Sequence, residues 1–128
     1  MQYNTLKYGI LSGGINHIDT GHQYRRHRAE RVVGLALRTL TEKFGLQRDE
    51  VFITSKQGFV GYNSIDNAKE LLQVEELLQT TDLTADEFME GCMYSIHPSF
   101  LEISLNNSLQ AMNIETIDCA MLQTPFEA

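Results

Sequence analysis

The sequence predicts an α/β fold in which about three parallel strands are covered by helices. Two short strands, over residues 14–20 and 51–54, are separated by one helix over residues 29–44. A strand, a helix and a second strand joined by short loops form a βαβ unit, and its right-handed crossover makes the two strands parallel. Parallel strands end at the same edge of a sheet, so polar residues that follow them are predicted to lie close together.

A helix over residues 3–11 is predicted before the first strand. Its apolar residues recur at helical spacing and are Tyr3, Leu6, Ile10 and Leu11. Gly13 and Gly14 end the helix, because glycine readily adopts the left-handed conformation that follows many last turns. The first strand then alternates its side chains between two faces, which places Ile18 on one face and Asp19 on the other.

The helix over residues 29–44 carries an apolar stripe that should cover a sheet. The stripe consists of Val33, Leu37, Leu40 and Phe44, and the opposite side carries Arg38, Thr41 and Glu42. Gly45 follows as a left-handed stop. The next strand, V-F-I-T over residues 51–54, is a continuous apolar run typical of a parallel strand buried on both faces. Lys56 is predicted to lie just past its end.

Residues 57–98 are interpreted as a helical insertion. Residues 68–78 are amphipathic, with Leu71, Val74 and Leu78 on one face. Thr84 and Glu87 form a capping box that predicts a short helix through Met89. An insertion of this length could close over an active site as a lid or be a tolerated loop, and the sequence leaves both open.

A helix and a strand complete the pattern. Ser99 and Glu102 form a second capping box. The helix that it opens has an apolar stripe consisting of Leu101, Leu105, Leu109 and Met112. The strand over residues 116–122 is largely apolar, and Gln123 follows it. Three strands cannot close into a barrel, so both edges of the sheet are expected to present unpaired backbone groups.

Two short motifs resemble those of the aldo-keto reductase family. The first, D-T-x-x-x-Y after a G-I-N-x-I strand, contains Asp19 and Tyr24. The second, T-S-K at the end of the next strand, contains Lys56. In that family an Asp, a Tyr, a Lys and a His surround the substrate carbonyl, and here Gln123 stands at the position of the His. The resemblance covers most of the chain and implies a partial TIM (β/α)8 barrel, with residues 1–128 as one domain.

The resemblance implies the N-terminal half of that barrel. A complete eight-stranded α/β barrel usually needs about 250 residues, whereas this chain has 128. The family binds NADP(H) largely through the second half of the barrel, which this sequence lacks. We therefore expect a truncated chain, and we expect the barrel to be completed by another copy of it, by a second polypeptide, or by residues missing from this version of the chain.

The matched residues suit the reduction of an aldehyde or ketone, which needs a hydride from a nicotinamide and a proton for the developing alkoxide. The resemblance makes Tyr24 the proton donor, Lys56 the cation that stabilises its phenolate, and Asp19 the partner that holds Lys56. Gln123 can donate to a substrate oxygen through its amide, although it cannot titrate as a His does. The predicted function is NAD(P)H-dependent reduction of a small carbonyl compound. The alternatives are a catalytically silent interaction subunit and an incomplete gene product.

Composition limits the partners and the cellular location that are predicted for the protein. Acidic side chains number 17 against 10 basic ones, for a formal charge of −7, so neither nucleic acid nor an anionic membrane is a predicted partner. No apolar run approaches the roughly 20 residues of a membrane helix. The first residues do not form a secretion signal, so the predicted location is the cytoplasm. Cys92 and Cys119 are expected to be reduced, buried thiols.

Other patterns are weaker. His17, His22 and His27 recur every five residues, an interval that suits neither one helix face nor one strand face, so no metal site is predicted. Residues 25–28, R-R-H-R, are a small basic cluster that could contact a phosphate or simply be solvated. Neither a G-x-G-x-x-G motif nor a G-x-S-x-G motif occurs.

Overall fold

The computed structural model describes residues 2–25, 28–60, 67–88 and 94–124, with residues 67–71 and 73 described by their backbone alone. Within these ranges, three strands form one sheet and four α-helices accompany it. The strands are β1 (His17–Asp19), β2 (Phe52–Gln57) and β3 (Cys119–Leu122). The α-helices are α1 (Gln2–Gly13), α2 (Arg28–Phe44), α3 (Asn67–Thr80) and α4 (Pro98–Met112). The predicted α/β class with three parallel strands is confirmed.

All neighbouring strands in this sheet are parallel, in the order β1-β2-β3. Ile18 of β1 is opposite Ile53 of β2, and Lys56 of β2 is opposite Met121 of β3. The carboxyl ends of the three strands therefore meet at one edge, which we call the rim. As predicted, Asp19 and Lys56 share this rim.

Strand β2 is longer than the sequence predicts, and Lys56 lies within it rather than past its end. The strand reaches Gln57 because its last four residues pair with β3. The prediction that this strand is buried on both faces is wrong at Phe52, which is 47% exposed. The Phe52 ring lies on the face opposite Ile53 and contacts His17 edge to face, with ring centroids 5.1 Å apart.

The two faces of the sheet have different surroundings. The helix face of β1 and β2, which includes Ile18, Ile53 and Ser55, packs against α2 and α4. The opposite face, which we call the open face, carries His17, Asp19, Phe52, Thr54 and Lys56. Alternation along each strand produces this division.

The apolar core lies on the helix face. Its buried members are Ile18, Val33, Leu37, Val51, Ile53 and Met112. Leu6 and Ile10 of α1 pack against them, as predicted, whereas Leu11 is 41% exposed. Gly14 follows α1 with a φ of 66°, which is the predicted left-handed stop.

Helix α2 confirms most of its predicted stripe. Val33, Leu37 and Leu40 are buried, and Gly45 ends the helix with a φ of 72°. Phe44 was predicted to join them but is 50% exposed. It occupies the last position of α2, where its ring is 5.1 Å from the ammonium of Lys7 on α1 rather than over the sheet.

Helix α4 buries a face that shares only Met112 with the predicted stripe. Its N-cap is His97 and its first residue is Pro98, so the predicted capping box of Ser99 and Glu102 is wrong. Its buried residues are Phe100, Ser104, Ser108 and Met112. The predicted leucines at 101, 105 and 109 are half-buried. The serines are turned inward because they bond to Gln57 of β2.

Gly34 lets α2 approach the end of α4 closely. A Cβ atom at this position would lie 2.7 Å from the Cα of Met112. This is closer than side-chain atoms pack, so a larger residue would force the two helices apart. The contact brings the first turn of α2 near the serines of α4.

The region predicted to be an insertion contains α3 and a short 3₁₀ helix, Ala85–Glu87. The capping box of Thr84 and Glu87 is present, but Phe88 has extended backbone, so the predicted helix does not continue through it. Met89 and the side chain of Leu71 lie outside the described residues. Val74 and Leu78 pack, as predicted, on a second apolar cluster that includes the buried residues Val60, Leu83 and Phe100. The interpretation of residues 57–98 as an insertion or a lid stays a prediction.

Strand β3 begins at Cys119, three residues later than predicted. Before it, the Thr116 carbonyl accepts from Arg48 at 2.9 Å, and the Asp118 carboxylate accepts from the Ile53 N–H at 2.7 Å. These contacts occupy the backbone that would otherwise extend the strand. Side chains of β3 are largely exposed, with Met121 at 48%.

Candidate active site

The rim brings Asp19 and Lys56 into direct contact. The Lys56 ammonium donates to Asp19 Oδ1 at 2.5 Å. Both side chains point to the open face, and Asp19 is the more exposed at 54% against 19% for Lys56. Parallel pairing of β1 with β2 places the two strand ends side by side, so this contact follows from the topology.

Tyr24 lies on the loop after β1, and main-chain bonds fix that loop to β2. The Thr20 N–H donates to the Thr54 carbonyl at 2.9 Å, and the His22 N–H donates to the Lys56 carbonyl at 3.1 Å. The loop thereby brings the Tyr24 hydroxyl to 3.5 Å from Lys56 Nζ. This ammonium also lies 5.5 Å from the centroid of the Tyr24 ring, within the range of a cation–π contact.

Gln123 approaches from the third strand. Its N–H donates to the Gln57 carbonyl at 2.9 Å, which extends the parallel pairing past β3. Its side-chain oxygen accepts the hydroxyl of Tyr24 at 3.1 Å. The structure thus brings all four predicted site residues together, although their catalytic roles stay predictions.

Lys56 remains a cation at neutral pH. Burial acts to lower the pKa of Lys56, but hydrogen bonds to Asp19 and Tyr24, together with the negative charge of Asp19, raise it above its ordinary value. The Tyr24 hydroxyl lies between this positive charge and the side-chain oxygen of Gln123.

A buried carboxylate behind the rim was missed in the sequence. Glu30, in the first turn of α2, is 0% exposed. It accepts from the Ser55 hydroxyl at 2.6 Å, and its other oxygen lies 3.6 Å from His22 Nδ1. Burial acts to raise the pKa of Glu30, but the neighbouring side chains of His22, Ser55 and Ser108 lower it overall. The available signal was its spacing, because Glu30 falls on the same helix face as Val33 and Leu37.

Further polar residues continue inward from Ser55. The Gln57 amide nitrogen donates to Ser55 at 3.0 Å and to Ser108 at 3.2 Å. The Ser104 hydroxyl donates to the Gln57 amide oxygen. We call these five residues, with Glu30 included, the buried polar network. It joins β2 to α2 and α4 just below the rim.

The remaining histidines and cysteines form no site in the part of the chain that the structure describes. His17 bonds to Thr54 at 2.8 Å, His22 lies beside Glu30, and His27 is outside the described residues. No group of three or more possible metal ligands occurs among the described residues. Cys119 is a half-exposed thiol rather than a buried one, and Cys92 is outside the described residues.

The basic cluster at residues 25–28 is described only at its ends. Arg25 has a φ of 52°, which ends the turn that carries Tyr24, and Arg28 begins α2. Contact of this cluster with a phosphate stays a prediction. For the described residues, we also find no helix that combines the length and the apolar character needed to span a bilayer.

A cavity of about 720 Å³ lies among α2, α3 and α4. Phe100, Leu77 and Arg31 line its walls, and His22 and Ser104 lie beside it. It is separate from the Tyr24 hydroxyl, which faces the open side of the sheet. We take the rim as the candidate active site, because Asp19, Tyr24 and Lys56 meet there.

Parallel strands with charged and hydroxyl groups at their carboxyl ends, and with helices outside, are typical of a partial (β/α) barrel. The model of the aldo/keto reductase family matches residues 2–128. The chain belongs to the aldo/keto reductase family, so the resemblance stated from the sequence is confirmed. Membership supports an oxidoreductase-like function, and the family generally uses NAD(P)H. No curated protein matches the chain.

The described residues of the rim bring together a phenol, an ammonium and a carboxylate, which are group types that a proton transfer to a carbonyl oxygen can use. The roles of Tyr24, Lys56 and Asp19 in such a reaction stay predictions. We assign no described residue to the dinucleotide itself, and binding of NAD(P)H by this chain stays a prediction.

Proposed function

We propose that this protein reduces aldehydes or ketones with NAD(P)H and that Tyr24 donates the proton. The observation that carries the proposal is the shared ammonium of Lys56, which is 2.5 Å from Asp19 and 3.5 Å from the Tyr24 hydroxyl. Catalytic hydrogen bonds are often long in a ligand-free site and shorten in the reacting complex. The 3.5 Å distance is compatible with this behaviour.

The proton transfer uses three side chains. As the carbonyl carbon is reduced, the Tyr24 O–H bond breaks and its proton moves to the carbonyl oxygen. The electron pair stays on the phenolate, which the Lys56 ammonium stabilises, and Asp19 holds that ammonium in place. A bound nicotinamide supplies the hydride. Solvent then returns a proton to Tyr24.

Gln123 has two functional groups available for this site. Its amide oxygen accepts the Tyr24 hydroxyl, so a substrate oxygen has to replace that acceptor. Its amide nitrogen is a donor that can bond to the same substrate oxygen. Gln123 would in this way orient the carbonyl without titrating.

The first experiment replaces Tyr24 by Phe and measures carbonyl-dependent oxidation of NADPH. Loss of a general acid lowers turnover by about 100-fold or more. Tyr8→Phe is the matched control, because Tyr8 is 61% exposed on α1 and loses the same hydroxyl. Equal turnover in Tyr24→Phe and the wild type would show that Tyr24 is not the acid.

A second candidate, favoured by Gln123, is a catalytically silent interaction subunit. The hydroxyl of Tyr24 is directed to Gln123, and a glutamine cannot carry the charge of a histidine. Exposed side chains on β3, including Met121 and Leu122, would support contact with a second copy or another polypeptide. Titration of the purified protein with NADPH separates the candidates, since a silent subunit shows no saturable binding. A stoichiometric partner in purification would then support the subunit.

A further inference from the structure

We infer that Glu30 is a positioning residue that sets the separation of Tyr24 and Lys56. The expected effect of Glu30 on turnover rests on the proposed function. Its expected effect on the separation of Tyr24 and Lys56 does not. Glu30 touches neither Tyr24 nor Lys56 directly. It acts through Ser55 and His22, which are close to them along the chain.

One carboxylate oxygen holds the strand that carries Lys56. The Ser55 hydroxyl donates to Glu30 Oε1 at 2.6 Å, and Ser55 immediately precedes Lys56. Ser55 is 0% exposed, so this bond is shielded from water. Because neighbouring side chains on a strand point to opposite faces, anchoring Ser55 on the helix face fixes Lys56 on the open face.

The other carboxylate oxygen lies against the loop that carries Tyr24. It is 3.6 Å from His22 Nδ1, a close contact beyond hydrogen-bonding distance, and His22 is two residues before Tyr24. The His22 N–H donates to the Lys56 carbonyl. The main chain of His22 thus ties the Tyr24 loop to the strand of Lys56, and Glu30 lies against both the loop and the strand.

Packing alone does not account for a carboxylate at this position. Glu30 continues the buried stripe of α2, where Val33, Leu37 and Leu40 are apolar. A buried carboxylate costs free energy unless its oxygens are paired, so an apolar residue would continue this stripe at lower cost. The charged residue is explained by its bond to Ser55 and its contact with His22.

The test compares Glu30→Met with Ser95→Ala. Glu30→Met fills the same space but removes both oxygens. Ser95→Ala also removes a fully buried hydroxyl, which accepts from the His97 N–H at 3.1 Å, but it lies outside the buried polar network. Glu30→Gln keeps an acceptor for Ser55 and should have a smaller effect, and Glu30→Leu replaces Glu30→Met if the latter does not fold.

The first readout is the titration of Lys56, followed by NMR of its side chain. Hydrogen bonding to Tyr24 contributes to the raised pKa of Lys56. Separation of the two groups therefore shifts the titration to lower pH in Glu30→Met, whereas Ser95→Ala leaves it unchanged. A general loosening of the fold would move both variants alike.

The second readout is kinetic. A displacement of about 1 Å at a reacting group can lower the rate about 100-fold, so kcat falls by that order in Glu30→Met with a smaller change in KM. Ser95→Ala keeps the wild-type kcat.

The inference is overturned if the Lys56 titration is the same in wild type and the Glu30 variants, or if Ser95→Ala shifts it equally. It is supported if only the Glu30 variants shift it. A wild type without turnover, together with a shifted Lys56 in the Glu30 variants, would refute the proposed function and uphold the positioning role. If the wild type has turnover and the Glu30 variants match it in both turnover and Lys56 titration, the proposed function stands and the positioning role is refuted.

Discussion

Ile53 and Ser55 lie two residues apart on the same face of β2, and both are 0% exposed. Ile53 packs in the apolar core with Ile18, Val33 and Met112. Ser55 bonds to Glu30 and Gln57 in the buried polar network. The same strand face is therefore apolar near its start and polar near the rim.

The apolar end of this strand face contributes to the stability of the fold, whereas the polar end fixes distances between groups near the rim. Apolar contacts are strong in total but have no direction, whereas hydrogen bonds fix the distance and angle between two groups. Asp19, Tyr24 and Lys56 need defined separations, and they lie above the polar end. The apolar end lies farther from the rim and needs only to be well packed.

Ile53→Ala is expected to have the largest effect on stability. It removes the side chain from the centre of the apolar core, and such substitutions cost about 2–5 kcal/mol. The measurement is the free energy of unfolding in urea. Phe52→Ala is the matched control, because Phe52 is the neighbouring residue but 47% exposed. An equal loss in both variants would contradict the division between the two faces.

Ser55→Ala is expected to have the next largest effect on stability. It leaves the Glu30 oxygen without the donor now at 2.6 Å, and an unsatisfied buried acceptor costs about 1–3 kcal/mol. Ser99→Ala, on the half-buried side of α4, should stay within about 0.5 kcal/mol of the wild type. A stable Ser55→Ala protein would mean that water or another donor satisfies Glu30.

The helices and strands around the apolar end of β2, near Ile53, could be predicted from the sequence. The stripe of α2 and the strand around Ile53 have strong periodicity, which depends on local spacing alone. The order of strand, helix and strand also predicted that Asp19 and Lys56 meet at one rim. Gln123 was reached through the resemblance, because its partner Tyr24 is 99 positions away.

The polar end could not be predicted in the same way. The inward face of α4 carries Ser104 and Ser108, which hydrophobic periodicity assigns to the surface. They are buried because Gln57, a residue about 50 positions earlier, supplies their partners. Glu30 was missed for the same reason: its burial depends on Ser55 and His22, which a one-dimensional pattern does not pair with it.

The acid stability of the protein tests whether Glu30 is ionised in the fold. Its pKa is lowered on folding, so the folded state binds fewer protons than the unfolded state in acid. The stabilisation is present above the unfolded pKa, about 4.3 for Glu, and is lost as the pH falls through the lower folded value. We expect the difference in unfolding free energy between wild type and Glu30→Gln to shrink on acidification.

Other carboxylates, including Asp118, titrate in both proteins and cancel in that difference. Urea unfolding at several pH values from neutral to acid measures it. A difference that instead grows on acidification would show that Glu30 is protonated when buried, and the polar network would then lack its charge.

Asp118→Asn is expected to have the smallest effect. Asp118 bonds to Arg48 at 2.6 Å, but the two side chains are 30% and 34% exposed, and such pairs are worth about 1 kcal/mol or less. Asn keeps an acceptor for the Ile53 N–H and loses only the charge. Wild type in high salt should approach the variant, because salt screens an exposed pair. Asp118→Ala should cost more, since it removes that acceptor too. If Asp118→Asn cost as much as Ser55→Ala, an exposed charge would hold the sheet as strongly as the buried network, and burial would not be what distinguishes the polar end.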